Sequence, residues 1–153
     1  MKWLEHRVPP PVVGVLAGVA MWLLSQASAP LVVDDMVRYG VAAVLVATGL
    51  GFDVLGLLAF RAARTTVNPL HPEKASALVS AGVYRVTRNP MYVGMLSLLL
   101  AWAAFLATPV ALVGPLLFAL YITRFQIIPE ERILRERFGE PYVEYMKQVR
   151  RWI

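Results

Sequence analysis

Two adjacent carboxylates, Glu130 and Glu131, follow Pro129 at the end of a long apolar stretch. Because proline breaks or kinks a helix, the pattern predicts that both acids lie in the first turn of a new helix, where the helix dipole favours negative charge. Gln126 lies four residues before Glu130 and shares its face if the kink is mild. A carboxylate here can receive an ammonium group. The alternative is simple capping. For Glu131 we expect an ordinary ion pair with Arg135, four residues on.

A second polar feature is the Asn89-Pro90 pair before another apolar stretch. Asn is a preferred N-cap residue and Pro suits the first helical position, so the pair predicts a helix start. The free N–H groups of such a helix end bind a carboxylate or another anion. Gly94 and Ser97, about one turn apart, allow a ligand or a second helix to approach closely. The alternative is that Asn89-Pro90 is only a cap.

Asp53 and His71 are two further titratable groups that could do chemistry. Asp53 lies inside an apolar stretch, where an acid is costly and therefore suggests a function. Because Gly49, Asp53 and Gly56 form one helical stripe, we expect Asp53 to face other helices, with Arg124 as its ion-pair partner. A role for Asp53 in substrate or proton binding is the alternative. His71 lies in a proline-flanked loop, where we expect a loop contact, with a general base as the alternative.

The composition indicates which elements position these residues. Of the 153 residues, 58% are hydrophobic and 16% are charged, whereas typical globular domains have about 45–50% and about 25%. A soluble domain of this size cannot bury that much apolar surface, so we expect one integral membrane domain over residues 1–153. The net charge of +5 then suits an anionic membrane surface, and we expect no nucleic-acid partner. With no cysteine and two histidines, we also expect no metal.

Four apolar stretches predict an all-α, polytopic membrane protein with about four transmembrane helices, since one span needs about 20 residues. The stretches cover roughly residues 12–33, 37–60, 91–107 and 109–128. The third is at the short limit, and polar residues dilute the far half of the first. The connection between the last two is so short that they must form a tight antiparallel hairpin, with Thr108 as N-cap and Pro109 at the first helical position.

The basic residues predict the orientation of these spans. Lys and Arg cluster before the first stretch, between the second and third, and after the fourth, whereas Arg38 alone lies on the other side. The asymmetry places both termini, the loop 61–90 and the segment 129–153 in the cytoplasm. We therefore expect a multi-pass membrane protein, in the cell inner membrane if the source is bacterial. The alternative is a signal peptide cleaved near Ala27-Ser28-Ala29, which leaves three spans.

The segment 129–153 predicts two further helices, the first ended by Gly139 and the second opened by Pro141. The last helix carries an apolar stripe made of Tyr142, Tyr145 and Val149. Such a stripe suits the membrane surface, where basic neighbours such as Arg151 meet lipid headgroups. The alternative is that the stripe packs on the protein's own cytoplasmic loop.

Two strings of residues carry a resemblance to known enzymes. They are Leu78-Val79-Ser80-Ala81-Gly82-Val83-Tyr84 continuing to Arg88-Asn89-Pro90-Met91-Tyr92-Val93-Gly94, and Glu130-Glu131 with Leu134, Phe138-Gly139, Tyr142 and Tyr145. Together, over roughly residues 61–151, they resemble the isoprenylcysteine carboxyl methyltransferase family and the related phospholipid methyltransferases. The resemblance implies an integral membrane methyltransferase that uses S-adenosylmethionine, with a cofactor pocket between the loop before the third span and the helix after the fourth.

The resemblance also implies site residues by position. The cofactor contacts would be Asn68, Ser76, Ala77, Leu78, Val79, Tyr84, Asn89, Pro90, Met91, Tyr92 and Glu130. Within this set, the helix start at Pro90 suits the methionyl carboxylate and Glu130 suits the methionyl ammonium. Tyr84 and Tyr92 offer aromatic faces for adenine or for the sulfonium.

The candidate catalytic residues are Arg124, Gln126 and Glu131. The arginine that prenylcysteine enzymes place near the substrate carboxylate falls on Gln126, with Arg124 two residues earlier on a different face. Asn89 stands where those enzymes usually have histidine. A carboxylate acceptor needs no general base, because methyl transfer depends mainly on alignment, whereas a protonated amine needs one, for which Glu131 is a candidate.

The expected partners are membrane lipids and a lipid or lipidated small-molecule acceptor. The leading hypothesis is methyl transfer to a lipophilic acceptor such as an isoprenylcysteine-type carboxylate. A phosphatidylethanolamine-type amine or a small thiol is the alternative acceptor. A non-enzymatic membrane scaffold that keeps the fold is the third hypothesis.

Overall fold

The structure is a computed structural model that describes residues 5, 7–64 and 77–153, and the regular elements of this part of the chain are all helical. The longer helices are α1 (Pro10–Gln26), α2 (Asp35–Ala62), α3 (Pro90–Leu106), α4 (Val113–Ile122), α5 (Ile128–Phe138) and α6 (Glu140–Gln148). Asn68, His71 and Ser76 lie outside the described residues, so what the sequence predicts for them stays a prediction.

α1 is shorter than the first apolar stretch, and the prediction that a helix continues to residue 33 is wrong. The helix ends at Gln26, where the Ser25 hydroxyl donates to the Trp22 carbonyl at 2.7 Å and Pro30 follows in an irregular segment. Local side-chain hydrogen bonds of this kind compete with helix continuation. α2 then starts under a side-chain cap, because the Asp34 carboxylate accepts from the backbone N–H groups of the next turn.

Two helical runs are long and apolar enough to cross a membrane by length and composition. They are α2, with 28 residues, and Pro109–Phe138, with 30 residues. α1 and α3 are shorter apolar helices of 17 residues each. Much of the apolar surface of α2 is uncovered by protein, since Val44 is 66% exposed and Val54 and Leu55 are each 54% exposed. An apolar surface of this extent needs a non-aqueous neighbour.

Pro129 lies in the first turn of α5 together with Glu130 and Glu131, as predicted, although the helical run is not interrupted before it. A 3₁₀ turn (Pro109–Leu112), α4, a π-helical turn (Thr123–Ile127) and α5 follow one another without interruption. Proline lacks the N–H that an α-helical turn requires, and its ring collides with the carbonyl four residues earlier. The wider π-turn just before Pro129 accommodates the proline without a gap in the helical run. Gln126 and Glu130 therefore remain on one helix.

The predicted tight hairpin joins α3 to the long helical run through two residues, Ala107 and Thr108. Ala107 adopts a left-handed conformation with φ of +49° and ends α3. The Arg38 side chain reinforces this end, donating from Nε to the Phe105 carbonyl at 2.7 Å. Thr108 occupies the N-cap position of the next helical turn, as predicted, but its hydroxyl makes no capping bond and is buried without a partner among the described residues.

The predicted glycine stripe of α2 packs against α3. Gly49 lies against the Gly94 carbonyl, so closely that a Cβ at position 49 would fall 2.9 Å from this oxygen, and Gly56 lies against Met91. A Cβ at Gly94 would collide with the Asp53 carboxylate. The absence of side chains at these positions is thus what allows the two backbones to approach.

Asp53 faces a neighbouring helix, as predicted, but its predicted ion pair with Arg124 is wrong. The Arg124 Nη1 atom lies 3.8 Å from Glu5 Oε1 instead, and half of the arginine side chain is exposed. Asp53 Oδ1 is buried without a hydrogen-bond partner in the described part of the chain. The acid is therefore held at the α2–α3 contact by packing rather than by an ion pair.

We expect Gly94→Ala to destabilise the protein by about 1–3 kcal/mol, because the new methyl group overpacks the α2–α3 contact. Gly51→Ala is the matched control, since nothing lies within 4 Å of a Cβ built there on the same helix pair. It should be neutral or slightly stabilising. The measurement is thermal unfolding in detergent micelles, and equal midpoints for the two variants would contradict the packing argument.

Candidate active site

A tyrosine–carboxylate pair joins the first turn of α3 to the first turn of α5. The Tyr92 hydroxyl donates to Glu130 Oε1 at 2.6 Å, and the Tyr92 side chain is buried. A hydrogen bond of this length holds the Glu130 carboxyl group in one orientation. The pair therefore fixes Glu130 at the end of the apolar helical run, one turn beyond Gln126.

Glu131 binds two arginines from distant parts of the chain, and its predicted pairing with Arg135 is wrong. Arg88 Nη2 lies 2.7 Å from Oε1, while Arg151 donates from Nε to Oε1 at 3.0 Å and from Nη2 to Oε2 at 2.7 Å. The hydrogen bond to Glu131 raises the pKa of the Arg151 guanidinium further above its usual value. Both carboxylate oxygens are engaged with cations, so Glu131 is poorly suited to act as a general base.

The segment after α6 folds back onto the residues that precede α3. The Arg88 N–H donates to the Arg150 carbonyl at 3.0 Å, and the Asn89 amide and the Thr87 hydroxyl both donate to the Arg151 carbonyl, at 2.8 and 3.2 Å. Asn89 occupies the N-cap position, as predicted, but its side chain makes no capping bond. The Asn89 amide instead ties the C-terminal segment to the start of α3.

The apolar stripe of α6 packs inward, so the prediction that it lies on the membrane surface is wrong and the alternative is correct. Tyr142, Tyr145 and Val149 are buried together with side chains that include Leu78 and Phe138. The Gly139 C′ position between α5 and α6 has a φ of +58°, which favours the glycine found there. This turn directs α6 back over the residues that precede α3.

Tyr84 lies under α6 and is almost fully buried. Its carbonyl accepts from the Tyr145 hydroxyl at 2.7 Å, and its ring meets Phe60 edge-on at 5.5 Å. Burial raises the pKa of the Tyr84, Tyr142 and Tyr145 hydroxyls well above their usual range, so all three stay neutral. These three tyrosines, which we call the tyrosine wall, form a buried and largely apolar aromatic surface.

Gln126 is completely buried in the π-helical turn. Its Nε2 donates to the Val8 carbonyl at 2.8 Å, whereas its Oε1 is buried without a partner among the described residues. Arg124, two residues earlier, leaves the interior and contacts Glu5 at the surface. Of the three candidate catalytic residues, therefore, Gln126 alone presents an unused polar atom to the interior.

The structure brings some of the predicted cofactor residues together and separates others. Asn89, Tyr92 and Glu130 meet between α3, α5 and the C-terminal segment. Pro90 and Met91 face α2 instead, where they contact Gly56. Leu78 packs on the α6 stripe and Val79 is buried, while Ala77 is partly exposed.

The sequence analysis missed the roles of Arg88 and Arg151. Arg88 immediately precedes Asn89, and Arg151 lies 63 residues further along the sequence. The only sequence signal was the pair of adjacent acids, Glu130 and Glu131. Basic residues nearby on the same helix cannot form ion pairs with both of them. Nothing in the spacing indicates that residues 63 positions apart share a partner.

Comparisons with known proteins show that the chain is similar to methyltransferases. The sequence model of the phospholipid methyltransferase family matches residues 37–141. A methanethiol S-methyltransferase of Pseudomonas deceptionensis is 34% identical over 134 residues, which are 84% of this chain and 47% of that protein. Protein-S-isoprenylcysteine O-methyltransferase A of Arabidopsis thaliana is 40% identical over 80 residues, which are 50% of this chain and 39% of that protein.

A further relative, a protein of Haemophilus influenzae, is 43% identical over 63 residues, which are 41% of this chain and the whole of that protein. The chain thus spans less than half the length of the two methyltransferases above. No solved structure matches the chain.

Glu131→Ala should destabilise the protein by about 3 kcal/mol, because it leaves the buried Arg88 guanidinium without its anion. Glu136→Ala removes an exposed acid from the same helix and should change stability by less than about 0.5 kcal/mol. Thermal unfolding of the purified variants measures both effects. A wild-type melting temperature for Glu131→Ala would contradict the structural role.

Proposed function

Since the chain belongs to the phospholipid methyltransferase family, we propose that it is an integral membrane methyltransferase that uses S-adenosylmethionine. The observation that carries the proposal is the Tyr92–Glu130 pair, which fixes a carboxylate where the apolar helices meet the polar cluster. The same place is the one at which the sequence predicts a cofactor ammonium group. A scaffold without activity would not require a carboxylate held by a short hydrogen bond at this junction.

The polar groups around Glu130 fit the methionyl part of the cofactor. Glu130 supplies the negative charge for the ammonium. The N-terminal end of α3 carries a positive dipole, and Arg88 Nε nearby in sequence is a buried donor without a partner among the described residues. Both features suit a carboxylate. Asn68, Ser76 and the remaining positions implied by the resemblance complete the proposed contact set.

The bound cofactor supplies an electrophilic methyl group on a sulfonium sulfur. The protein's part is to align the acceptor with that methyl and to exclude water. Tyr92 orients Glu130, while the Arg88–Glu131–Arg151 cluster holds the loop before α3, α5 and the C-terminal segment together. The buried tyrosine wall keeps the cytoplasmic side of the site dry.

We further propose that α1, α2, α3 and the helical run from Pro109 cross the membrane in a multi-pass arrangement with both termini cytoplasmic. The support is the exposed apolar surface of α2 and the asymmetric distribution of basic residues. The acceptor is then a molecule that enters from the membrane. The names of the relatives point to isoprenylcysteine carboxylates and to a small thiol as candidate acceptors.

Glu130→Gln should weaken S-adenosylmethionine binding by about 2–5 kcal/mol, because the cofactor ammonium loses a desolvated carboxylate partner. Tyr92→Phe should weaken binding by about 1 kcal/mol, through the lost orienting bond. Glu140→Gln, at the exposed start of α6, is the matched control and should bind normally. Isothermal titration calorimetry on micelle-solubilised protein measures all three. Wild-type affinity in Glu130→Gln would refute the cofactor assignment.

The proposed topology can be tested directly, because the chain has no cysteine of its own. A single cysteine at Val32, which is fully exposed between α1 and α2, should react with an impermeant maleimide from outside intact cells. A cysteine at Glu144, exposed on α6, should react only after the membrane is opened. The reverse labelling pattern would overturn the orientation.

A further inference from the structure

We infer that Glu5, which lies before α1, is a positioning residue for the candidate site. Its carboxylate is shared by Arg124 and Arg132 and holds the π-helical turn in its present hydrogen-bonding register. That register keeps Glu130 aimed at the Tyr92 hydroxyl. The inference rests on the function proposed above only in what Glu130 binds.

The Glu5 carboxylate lies between two arginines that flank Pro129 in the sequence. Arg124, inside the π-helical turn, brings Nη1 to 3.8 Å from Oε1, and Arg132, inside α5, donates from Nη2 to Oε2. The Glu5 side chain is only 13% exposed, whereas both arginine side chains are about half exposed. Because a carboxylate that is largely removed from water needs paired cations, Glu5 holds the two helical segments at one point.

The alignment of the two arginines depends on the π-helical turn. Successive residues of an α-helix are about 100° apart, so eight α-helical steps would leave Arg124 and Arg132 about 80° out of line. The i→i+5 bonding of the turn takes up about one extra residue, which brings the two side chains within about 20° of each other. Pro129 disfavours the α-helical register from within the helix. The shared carboxylate favours the π-helical register from outside it.

A second contact from the same part of the chain acts on the turn itself. The Val8 carbonyl accepts from Gln126 Nε2 at 2.8 Å, and Gln126 is completely buried in the turn. Pro9 and Pro10 follow Val8 and restrict the backbone between this contact and α1. The residues before α1 therefore hold the helical run at two places, one in the interior and one, through Glu5, at the surface.

The register of the turn decides where the two glutamates of α5 point. If the turn changed from π-helical to α-helical, the residues after it would rotate by about 100° relative to α4. Glu130 would then leave the Tyr92 hydroxyl, and Glu131 would leave Arg88. Both of these partners lie in or just before α3, which packs against α4. A clamp across the turn thus keeps both acids in place.

The first test measures the turn without any ligand. Glu5→Gln removes the charge at nearly constant size, so the backbone amides of residues 123–132 should exchange with deuterium about five-fold faster or more. The measurement is hydrogen exchange in micelles followed by mass spectrometry. Glu144→Gln is the matched control, because Glu144 pairs with Lys147 on the exposed surface of α6. Exchange at the wild-type rate in Glu5→Gln overturns the inference.

The second test asks whether the clamp positions Glu130. Glu5→Gln should lower S-adenosylmethionine affinity about ten-fold in isothermal titration calorimetry, since a small misplacement of a binding group is costly. Glu5→Asp keeps the charge and should restore most of the affinity. At about 1 M salt the difference between wild type and Glu5→Gln should disappear, because the ion pairs are screened. Equal affinities at low salt, or a difference that persists at high salt, overturn the positioning role.

The third test asks whether Glu5 and Arg132 act as one unit. Arg132→Gln should lower cofactor affinity to a similar degree as Glu5→Gln, and the double variant should bind no more weakly than either single variant. Glu144→Gln and Lys147→Gln, which break a surface ion pair away from the turn, should bind normally. Additive losses in the double variant overturn the shared clamp. If the wild-type protein does not bind S-adenosylmethionine, the proposed function fails, while the exchange rates still decide the role of Glu5.

Discussion

The arrangement of the polar half of this protein depends on one buried anion shared by two cations. Glu131 on α5 holds Arg88, which precedes α3, and Arg151, which follows α6. The Arg88 side chain is only 10% exposed, so its charge needs a partner here, whereas Arg151 is 36% exposed and binds Glu131 from the solvent side. Three segments that are far apart in sequence are thereby fixed relative to one another. The hydrogen bonds that the Arg88 backbone and the Asn89 and Thr87 side chains donate to the C-terminal segment accompany this cluster.

This cluster and the Tyr92–Glu130 pair divide the adjacent glutamates between two tasks. Glu131 faces the arginines and organises the fold, whereas Glu130 faces Tyr92 and is the acid proposed to meet the cofactor. Neighbouring residues on a helix point about 100° apart, so two adjacent acids serve different surfaces. The division explains why one carboxylate is saturated by cations while the other is held by a neutral hydroxyl.

The π-helical turn determines where the Gln126 side chain lies. Pro129 would break an α-helix, and the wider turn before it keeps the helical run continuous into α5. The same turn holds Gln126 inside, with its amide nitrogen bound to Val8 and its oxygen unpaired among the described residues. The π-turn that precedes Pro129 is thus also the element that holds the buried Gln126 side chain.

The sequence by itself determined the helical class, the positions of α2 and α3, the glycine stripe of α2 and the family. These features depend on local composition and on spacing along one helix, which a sequence displays directly. The apolar excess and the strings around Asn89-Pro90 and Glu130 were enough to indicate a methyltransferase-like membrane protein. The same local rules located Gly139 at the end of α5.

The tertiary structure alone decided the partners. The sequence suggested Arg135 as the partner of Glu131 and a capping role for Asn89, and in the structure both side chains make long-range contacts instead. Arg124 contacts Glu5 rather than Asp53, and the α6 stripe packs inward. When several arginines are available, an acid pairs with the arginine that the fold buries next to it. Distance along the sequence does not reveal which arginine that is. The orientation of the Gln126 amide was likewise set by a carbonyl 118 residues away.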